Sequence, residues 1–217
     1  GSDSSIVGGT GSIALSNSGT ISGAFGLTLG GSVGGSVTSV IGTSTGSLTK
    51  TGSGTWTLNG VNTYSGSTTV SVGTLVIGGS GSLGSGSYSG TLTVSSGATL
   101  NFTSSANQSF GSGATGVIAA GTGTISLNGS GTITINGNNA FTGTLNVAQS
   151  LVTQGGTNTL KAGLGYATTI EIMNGGLITV SGTTDNSFIG YNGTTTNIII
   201  DTGGKLTAGA SQNNTYH

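Results

Sequence analysis

The sequence predicts an all-β protein, a parallel β-helix (β-solenoid) in which residues 1–217 form a single segment. About 20 to 25 residues per rung would give roughly nine to ten rungs. Three observations predict this fold: a composition that disfavours helices, short segments in which apolar and polar residues alternate, and an internal repeat.

The composition removes most other fold classes. The 217 residues include 46 glycines, no proline and no cysteine, and only 3% are charged. Glycine and β-branched residues disfavour helix interiors, and the charged residues that favour helices are almost absent. A net charge of −1 and a mean hydropathy of +0.21 also differ from the highly charged, weakly apolar composition of disordered chains. Strands and turns are therefore the secondary structure that the composition predicts.

Alternating segments mark the strands. Each places two apolar side chains on one face and Thr, Ser or Asn on the other, as a half-buried strand requires. The clearest are TWTL at 55–58, TLTV at 91–94, TLNF at 99–102, TISL at 124–127, TITI at 132–135 and TLNV at 144–147. Glycine, asparagine and serine between them are typical of tight corners.

An internal repeat favours a coil over a sandwich. The segment 52–70, GSGTWTLNGVNTYSGSTTV, aligns without a gap on 129–147, GSGTITINGNNAFTGTLNV, with ten of nineteen positions identical. A β-sandwich also has short strands, but it rarely contains gapless repeats of this kind. Stacked rungs with loops of variable length explain both the repetition and its irregular spacing.

Residues 46–79 resemble the autotransporter-associated β-strand repeat, also called the passenger-associated transport repeat. Its pattern LxKxGxGxLxLxGxNxYxGxTxVxxGxL is filled by Leu48, Lys50, Gly52, Gly54, Leu58, Gly60, Asn62, Tyr64, Gly66, Thr68, Val70, Gly73 and Leu75, with Trp56 replacing the first strand Leu. A degenerate copy at 122–147 lacks the lysine and has Phe141 in place of the tyrosine.

The resemblance implies a right-handed parallel β-helix from the secreted passenger of a Gram-negative autotransporter. Such a passenger lies on the extracellular side of the bacterial outer membrane and is often an adhesin or a stalk. The start at Gly1 without a methionine predicts a fragment of a longer passenger. Glycans, other cell-surface molecules and copies of the chain itself are the candidate partners, and direct membrane insertion by this segment is not expected, since no long apolar run occurs.

Charged residues are too few for most other functions. Three lysines and no arginine make nucleic acid an improbable partner. Asp3, Glu171, Asp185 and Asp201 are the only acids and His217 is the only histidine, so the sequence predicts no enzyme, no cofactor and no metal site. A polysaccharide-binding or polysaccharide-cleaving β-helix remains the alternative, the cleaving form requiring two acids to meet on stacked rungs.

The aromatic residues are expected in the core. Trp56, Tyr64, Phe102, Phe110 and Phe141 could form a sugar-stacking strip if they were exposed. Their places within alternating strands predict burial instead. Asn62 and Asn139, which recur at equivalent positions of the repeat, are expected at corners where they satisfy backbone groups.

Thr-x-Thr pairs are the candidate contact residues. They are Thr55 with Thr57, Thr91 with Thr93, and Thr132 with Thr134. Arrays of such pairs on a flat β-helix can bind ice, which is a second alternative function. The gaps between successive pairs are unequal and too irregular for one pair on every rung. An uncharged surface that hydrogen-bonds to glycans or to another rod is the simpler interpretation.

Overall fold

A computed structural model describes residues 2–112, 117–119, 121–136, 139, 141–154, 169–172, 177–181 and 197–208. These residues form a parallel β-solenoid. The strands are β1 Ser4–Gly8, β2 Ile13–Leu15, β3 Thr20–Ser22, β4 Leu27–Gly31, β5 Gly34–Val37, β6 Val40–Gly42, β7 Leu48–Lys50, β8 Thr55–Leu58, β9 Thr68–Val70, β10 Thr74–Ile77, β11 Ser87–Tyr88, β12 Leu92–Val94, β13 Thr99–Phe102, β14 Gln108–Phe110, β15 Thr124–Leu127, β16 Ile133–Asn136, β17 Thr144–Val147, β18 Ser150–Gln154, β19 Thr169–Ile172, β20 Leu177–Ser181, β21 Asn197–Ile200 and β22 Lys205–Ala208. A 3-10 turn at Gly84–Gly86 lies between β10 and β11.

Successive turns stack their strands in parallel on three faces of the coil. Sheet A contains β1, β4, β7, β9 and β12; sheet B contains β2, β5, β8, β10, β13, β15, β17, β19 and β21. Sheet C contains β11, β14, β16, β18, β20 and β22, and a short sheet of β3 and β6 precedes it on the third face. Thr55 pairs with Thr74 and Thr74 with Thr99, so successive turns differ in length while their strands stay in register.

The predicted parallel coil is confirmed, but the predicted nine to ten rungs are too many. The structure shows about six turns in which all three faces are present. In the sixth turn, sheet A is continued by a single bridge between Leu92 and Ile118. The described part of the chain beyond β17 and β18 contributes strands to sheets B and C. The predicted number assumes that every residue belongs to a rung of average length, whereas among the described residues all three faces are present only in the first two thirds of the sequence.

Inward side chains stack in columns along the coil. On sheet B, one inward column consists of Trp56, Leu75, Leu100 and Ile125, which are paired in this order. A parallel column runs from Leu58 through Ile77, Phe102 and Leu127. All of these side chains are buried. The period-2 alternation read from the sequence therefore separates core from surface correctly, and the core lies along the axis of the coil.

Buried amides replace missing strand pairing on the third face. Between the short sheet and sheet C, the described backbone forms no strand pair, only the isolated bridge Val61 to Ser82 and single hydrogen bonds such as Thr63 N–H to the Ile41 carbonyl. There the Asn62 Oδ1 accepts a hydrogen bond from the Ile41 N–H at 3.0 Å, and its Nδ2 donates to the Ser82 carbonyl at 3.1 Å. One side chain thus links the turns on either side of its own. Unpaired backbone groups in a buried corner would otherwise destabilise the fold.

Asn139 repeats this arrangement, as the sequence predicts. Its Oδ1 accepts hydrogen bonds from the backbone N–H groups of Val117 and Ile118, at 3.1 and 2.9 Å. Its Nδ2 donates to the Asn136 carbonyl at 3.2 Å. Asn139, like Asn62, is buried. The two asparagines are corner residues that satisfy the hydrogen-bonding groups of the backbone.

No helix long and apolar enough to cross a membrane occurs among the described residues.

Candidate functional surface

The outer face of sheet B carries a threonine at the same position of five consecutive turns. The strand register pairs them in the order Thr55, Thr74, Thr99, Thr124 and Thr144. Two residues further along each strand lies a second outward column of Thr57, Val76, Asn101, Ser126 and Asn146. Thr55 is exposed and the other nine side chains are half-buried, as expected for the outer side of a sheet. Neither column contains a charged residue.

Sheet A has a shorter outward column of the same type. Thr28, Thr49, Thr69 and Thr93 are paired in register. Its first partner on β1 is Ser5. Asp3 lies beside this face, where its Oδ1 accepts a hydrogen bond from the Gly26 N–H at 2.8 Å. Sheet A therefore presents hydroxyl groups with a carboxylate at one end.

The six threonines predicted as contact residues do not form one ladder. Thr55 and Thr57 lie on β8 of sheet B, and Thr93 lies on β12 of sheet A with Thr91 directly before it. Thr134 lies on β16 of sheet C, with Thr132 directly before it. All six are exposed or half-buried. Each pair belongs to a different face, so each threonine column combines one predicted residue, Thr55 on sheet B or Thr93 on sheet A, with threonines that the Thr-x-Thr pattern did not identify.

Aromatic side chains lie in the core, as predicted. Trp56, Tyr64, Phe102, Phe110 and Phe141 are each at most 4% exposed. Tyr88 joins them, and its ring makes edge contacts with Tyr64 at 6.0 Å and with Phe110 at 6.3 Å between ring centroids. Their burial leaves none of these rings available to stack on a sugar.

Lys50 is a buried cation held by backbone oxygens. It occupies an inward position of sheet A between Leu29 and Val70, and it is 0% exposed. Its Nζ donates hydrogen bonds to the carbonyls of Thr51, Gly52 and Val72 at 2.7, 2.8 and 3.0 Å. The ammonium thus ties two successive corners between sheets A and B.

Burial lowers the pKa of Lys50 below its ordinary value of 10.5. The charged form is therefore less favourable in the folded chain than in the unfolded one. The contribution of Lys50 to the free energy of unfolding therefore rises as the pH rises from the lowered pKa of the folded chain towards 10.5.

Lys50 fits a structural cross-link better than a nucleophile, because its three N–H donors are all bonded to carbonyl oxygens.

A chain of buried hydroxyl groups crosses the core. Tyr88 Oη donates to the Gly66 carbonyl at 2.6 Å. The Thr68 hydroxyl lies 2.7 Å from Tyr88 Oη and 2.7 Å from Tyr64 Oη. Since the Tyr88 proton is directed at Gly66, Thr68 must donate to Tyr88 and accept from Tyr64. The direction of each hydrogen bond is therefore fixed, from Tyr64 to Thr68, from Thr68 to Tyr88 and from Tyr88 to the Gly66 carbonyl.

Replacing Tyr88 by Phe should destabilise the fold more than replacing Tyr64 by Phe. Tyr88→Phe leaves the Gly66 carbonyl without its donor and the Thr68 proton without its acceptor, so we expect a loss of about 2–3 kcal/mol in the free energy of unfolding. Tyr64→Phe removes only the first donor and should cost about 1 kcal/mol. Urea unfolding followed by circular dichroism measures both. Equal losses, or a larger loss for Tyr64→Phe, would contradict the proposed direction of these hydrogen bonds.

The same tyrosines predict loss of stability in alkali. Burial raises the pKa of Tyr64 well above 10.0, reinforced by the nearby Tyr88, and burial raises the pKa of Tyr88 to about 12. The unfolded chain therefore releases these protons first, so stability is complete below pH 10.0 and falls as the pH rises through about 12. Melting temperatures across this range should fall less steeply for the Tyr64→Phe, Tyr88→Phe double variant. Identical slopes would refute the assignment.

The two acids whose side chains are described, Asp3 and Asp201, do not form a site together. Asp3 and Asp201 are exposed, and they lie before β1 and after β21, the first strand of sheet A and the last of sheet B. Asp185 lies outside the described residues, and of Glu171 only the backbone on β19 is described. Within the described ranges, no group of three or more His, Cys, Asp or Glu could hold a metal ion.

These features define a parallel β-solenoid with an uncharged hydroxyl surface and polar cross-links inside. The family model of the passenger-associated transport repeat matches residues 48–77 and 125–149, which confirms the resemblance read from the sequence. No curated protein and no solved structure matches the chain. Fold and repeat together fit an autotransporter passenger β-helix, and the repeat family implies a secreted or surface passenger.

Proposed function

We propose that the chain is a non-catalytic, right-handed β-helical rod, one segment of a longer autotransporter-type passenger that lies outside the bacterial outer membrane. The rod holds other parts of the passenger away from the cell surface. Adhesion and self-association are the further roles that its outer faces allow.

The observation that supports this proposal is where the repeat residues lie. The polar residues of the matched segment are internal: Lys50, Asn62 and Thr68 are each 0% exposed. Lys50 bonds the corners, Asn62 bonds turns on either side of its own, and Thr68 joins two tyrosines. A catalytic or ligand-binding repeat would direct its polar groups into an accessible cleft. These residues instead stabilise the coil, which is what a rod that folds after export requires.

Surface display tests the proposal. The full chain, fused to an outer-membrane translocator barrel in a Gram-negative host, should reach the cell surface in a protease-resistant form. Asn62→Ala should reduce the protease-resistant surface fraction severalfold, because the buried Ile41 N–H loses its acceptor and the side-chain bond to the Ser82 carbonyl is lost. Thr63→Ala, at the neighbouring exposed position, is the matched control and should behave like the parent chain.

Three results would overturn the proposal. The parent chain could remain in the periplasm, the purified chain could cleave polysaccharides, or X-ray scattering could show a compact particle. Concentration-dependent growth of the particle, or retention on a glycan array, would assign the rod to self-association or to adhesion.

A further inference from the structure

We propose that the outer face of sheet B binds ice. This inference goes beyond the rod function, because it concerns a ligand of the outer face rather than export or spacing. The pattern of Thr-x-Thr pairs in the sequence is too irregular to support it. The strand register instead shows a column of five threonines, one on each turn from β8 to β17.

The spacing of this column is regular in two directions. Hydrogen bonding between parallel strands sets the distance between successive threonines at about 4.8 Å. The second outward column lies two residues along each strand, which is about 6.7 Å away. Insertions such as the one that lengthens the turn from Thr74 to Thr99 lie in the loops and leave the strand register unchanged. The face therefore keeps a fixed repeat despite the unequal spacing in the sequence.

The chemistry of the face suits a lattice of water. Each threonine places a methyl group and a hydroxyl group on a β-branched side chain with a restricted χ1, so the array is rigid before it binds. A hydroxyl group donates one hydrogen bond and accepts two, as a water molecule at an ice surface requires of its neighbours. Ionic groups would hold disordered hydration water, and the described turns from β8 to β17 place none in either column.

Other ligands fit the face less well. A protein interface usually has aromatic residues and arginine at its centre, and a sugar site usually has an aromatic platform. The two columns contain neither. Small uncharged side chains at a constant spacing, with hydroxyl and methyl groups together, instead offer an ordered layer of water a regular array of hydrogen-bonding and apolar positions.

Sheet B is a better candidate than sheet A. The threonine column on sheet A has four members, and Asp3 lies at its end. On sheet B, both outward columns are uncharged over the five turns from β8 to β17, and a charge enters only at the next strand, where Glu171 on β19 is the partner of Asn146. The longer array, uncharged over five turns, offers more matched positions to a crystal surface.

Thermal hysteresis of the full chain tests the proposal. The parent chain should separate the melting and freezing points and should partition into slowly growing ice. Thr99→Tyr places a large side chain at the centre of the sheet B column and should abolish both effects. Tyrosine is well tolerated in strands, so the variant should still fold. Thr69→Tyr makes the same change at a half-buried position in the sheet A column, and it should leave both effects intact.

Circular dichroism and melting temperature establish that both variants are folded. Absence of hysteresis and of ice partition in the parent chain would overturn the proposal. So would loss of activity in Thr69→Tyr, or full activity in a folded Thr99→Tyr. Surface display of the rod does not depend on any of these results, so failure of ice binding and failure of the rod function are distinguishable.

Discussion

Replacing Gly52 by Ala should destabilise the coil by more than about 3 kcal/mol. Gly52 has a φ of 70°, in the left-handed region, and lies at the corner between sheets A and B. A Cβ at this position would lie 2.4 Å from the Gly31 carbonyl oxygen and 2.7 Å from the Gly31 nitrogen. Both atoms belong to the backbone of the preceding turn. The clash cannot be relieved by a side-chain rotation, so the two turns must separate.

Gly97 provides the matched control. It has a φ of 74° at the corresponding corner two turns later, but a Cβ there would have nothing within 4 Å. Gly97→Ala should therefore cost only the left-handed conformation, about 1 kcal/mol. Urea unfolding of the two variants separates the conformational cost from the cost of close packing. Similar losses would show that the turns are not held together as tightly as the backbone distances indicate.

The strands could be predicted from the sequence because alternation is a local property. TWTL, TLNF, TISL and TLNV coincide with β8, β13, β15 and β17, and their apolar residues are the buried ones. Lys50 also follows this rule, since it lies two residues after the inward residue Leu48 and therefore on the same face of the strand. A lysine at an inward position was the available signal for a buried cross-link. Which oxygens bind it depends on how the turns stack, which no local pattern specifies.

The face on which each strand lies could not be predicted. The repeat aligns Trp56 with Ile133, yet these residues lie on sheet B and sheet C. It also aligns Val70 of sheet A with Val147 of sheet B. The offset between the two copies is therefore a whole number of turns plus one face. The repeated unit is a strand, a corner and the next strand, and it fits any face of the coil.

This shift explains why the predicted threonine pairs separate. Thr55 and Thr132 are equivalent in the repeat but lie on different faces of the coil. The column on sheet B is made instead by threonines that are unequally spaced in the sequence, since the loops at the corners differ in length. Sequence identity finds equivalent local structures, whereas a surface array depends on the accumulated length of the turns between them.

Replacing Trp56 by Ala should cost about 3–5 kcal/mol, the loss expected when a buried tryptophan is truncated. The indole is 0% exposed and stacks in the inward column between Gly35 and Leu75. A Cβ on Gly35 would lie 3.0 Å from Trp56 Cζ3, so the glycine makes room for the ring. Neither neighbour is large enough to fill the cavity. The Gly30 carbonyl would also lose the Nε1 donor that now lies at 2.9 Å.

Trp56→Leu separates these two contributions. Leucine matches the neighbouring Leu75 and Leu100 of the column and fills part of the cavity, but it cannot donate to Gly30. We expect a loss about half that of Trp56→Ala, measured by urea unfolding with circular dichroism. The parent chain, with its single tryptophan, should show blue-shifted emission that reddens on unfolding. A small loss for Trp56→Ala would mean that the turns collapse onto the cavity, and that the inward columns are less rigid than close packing against Gly35 indicates.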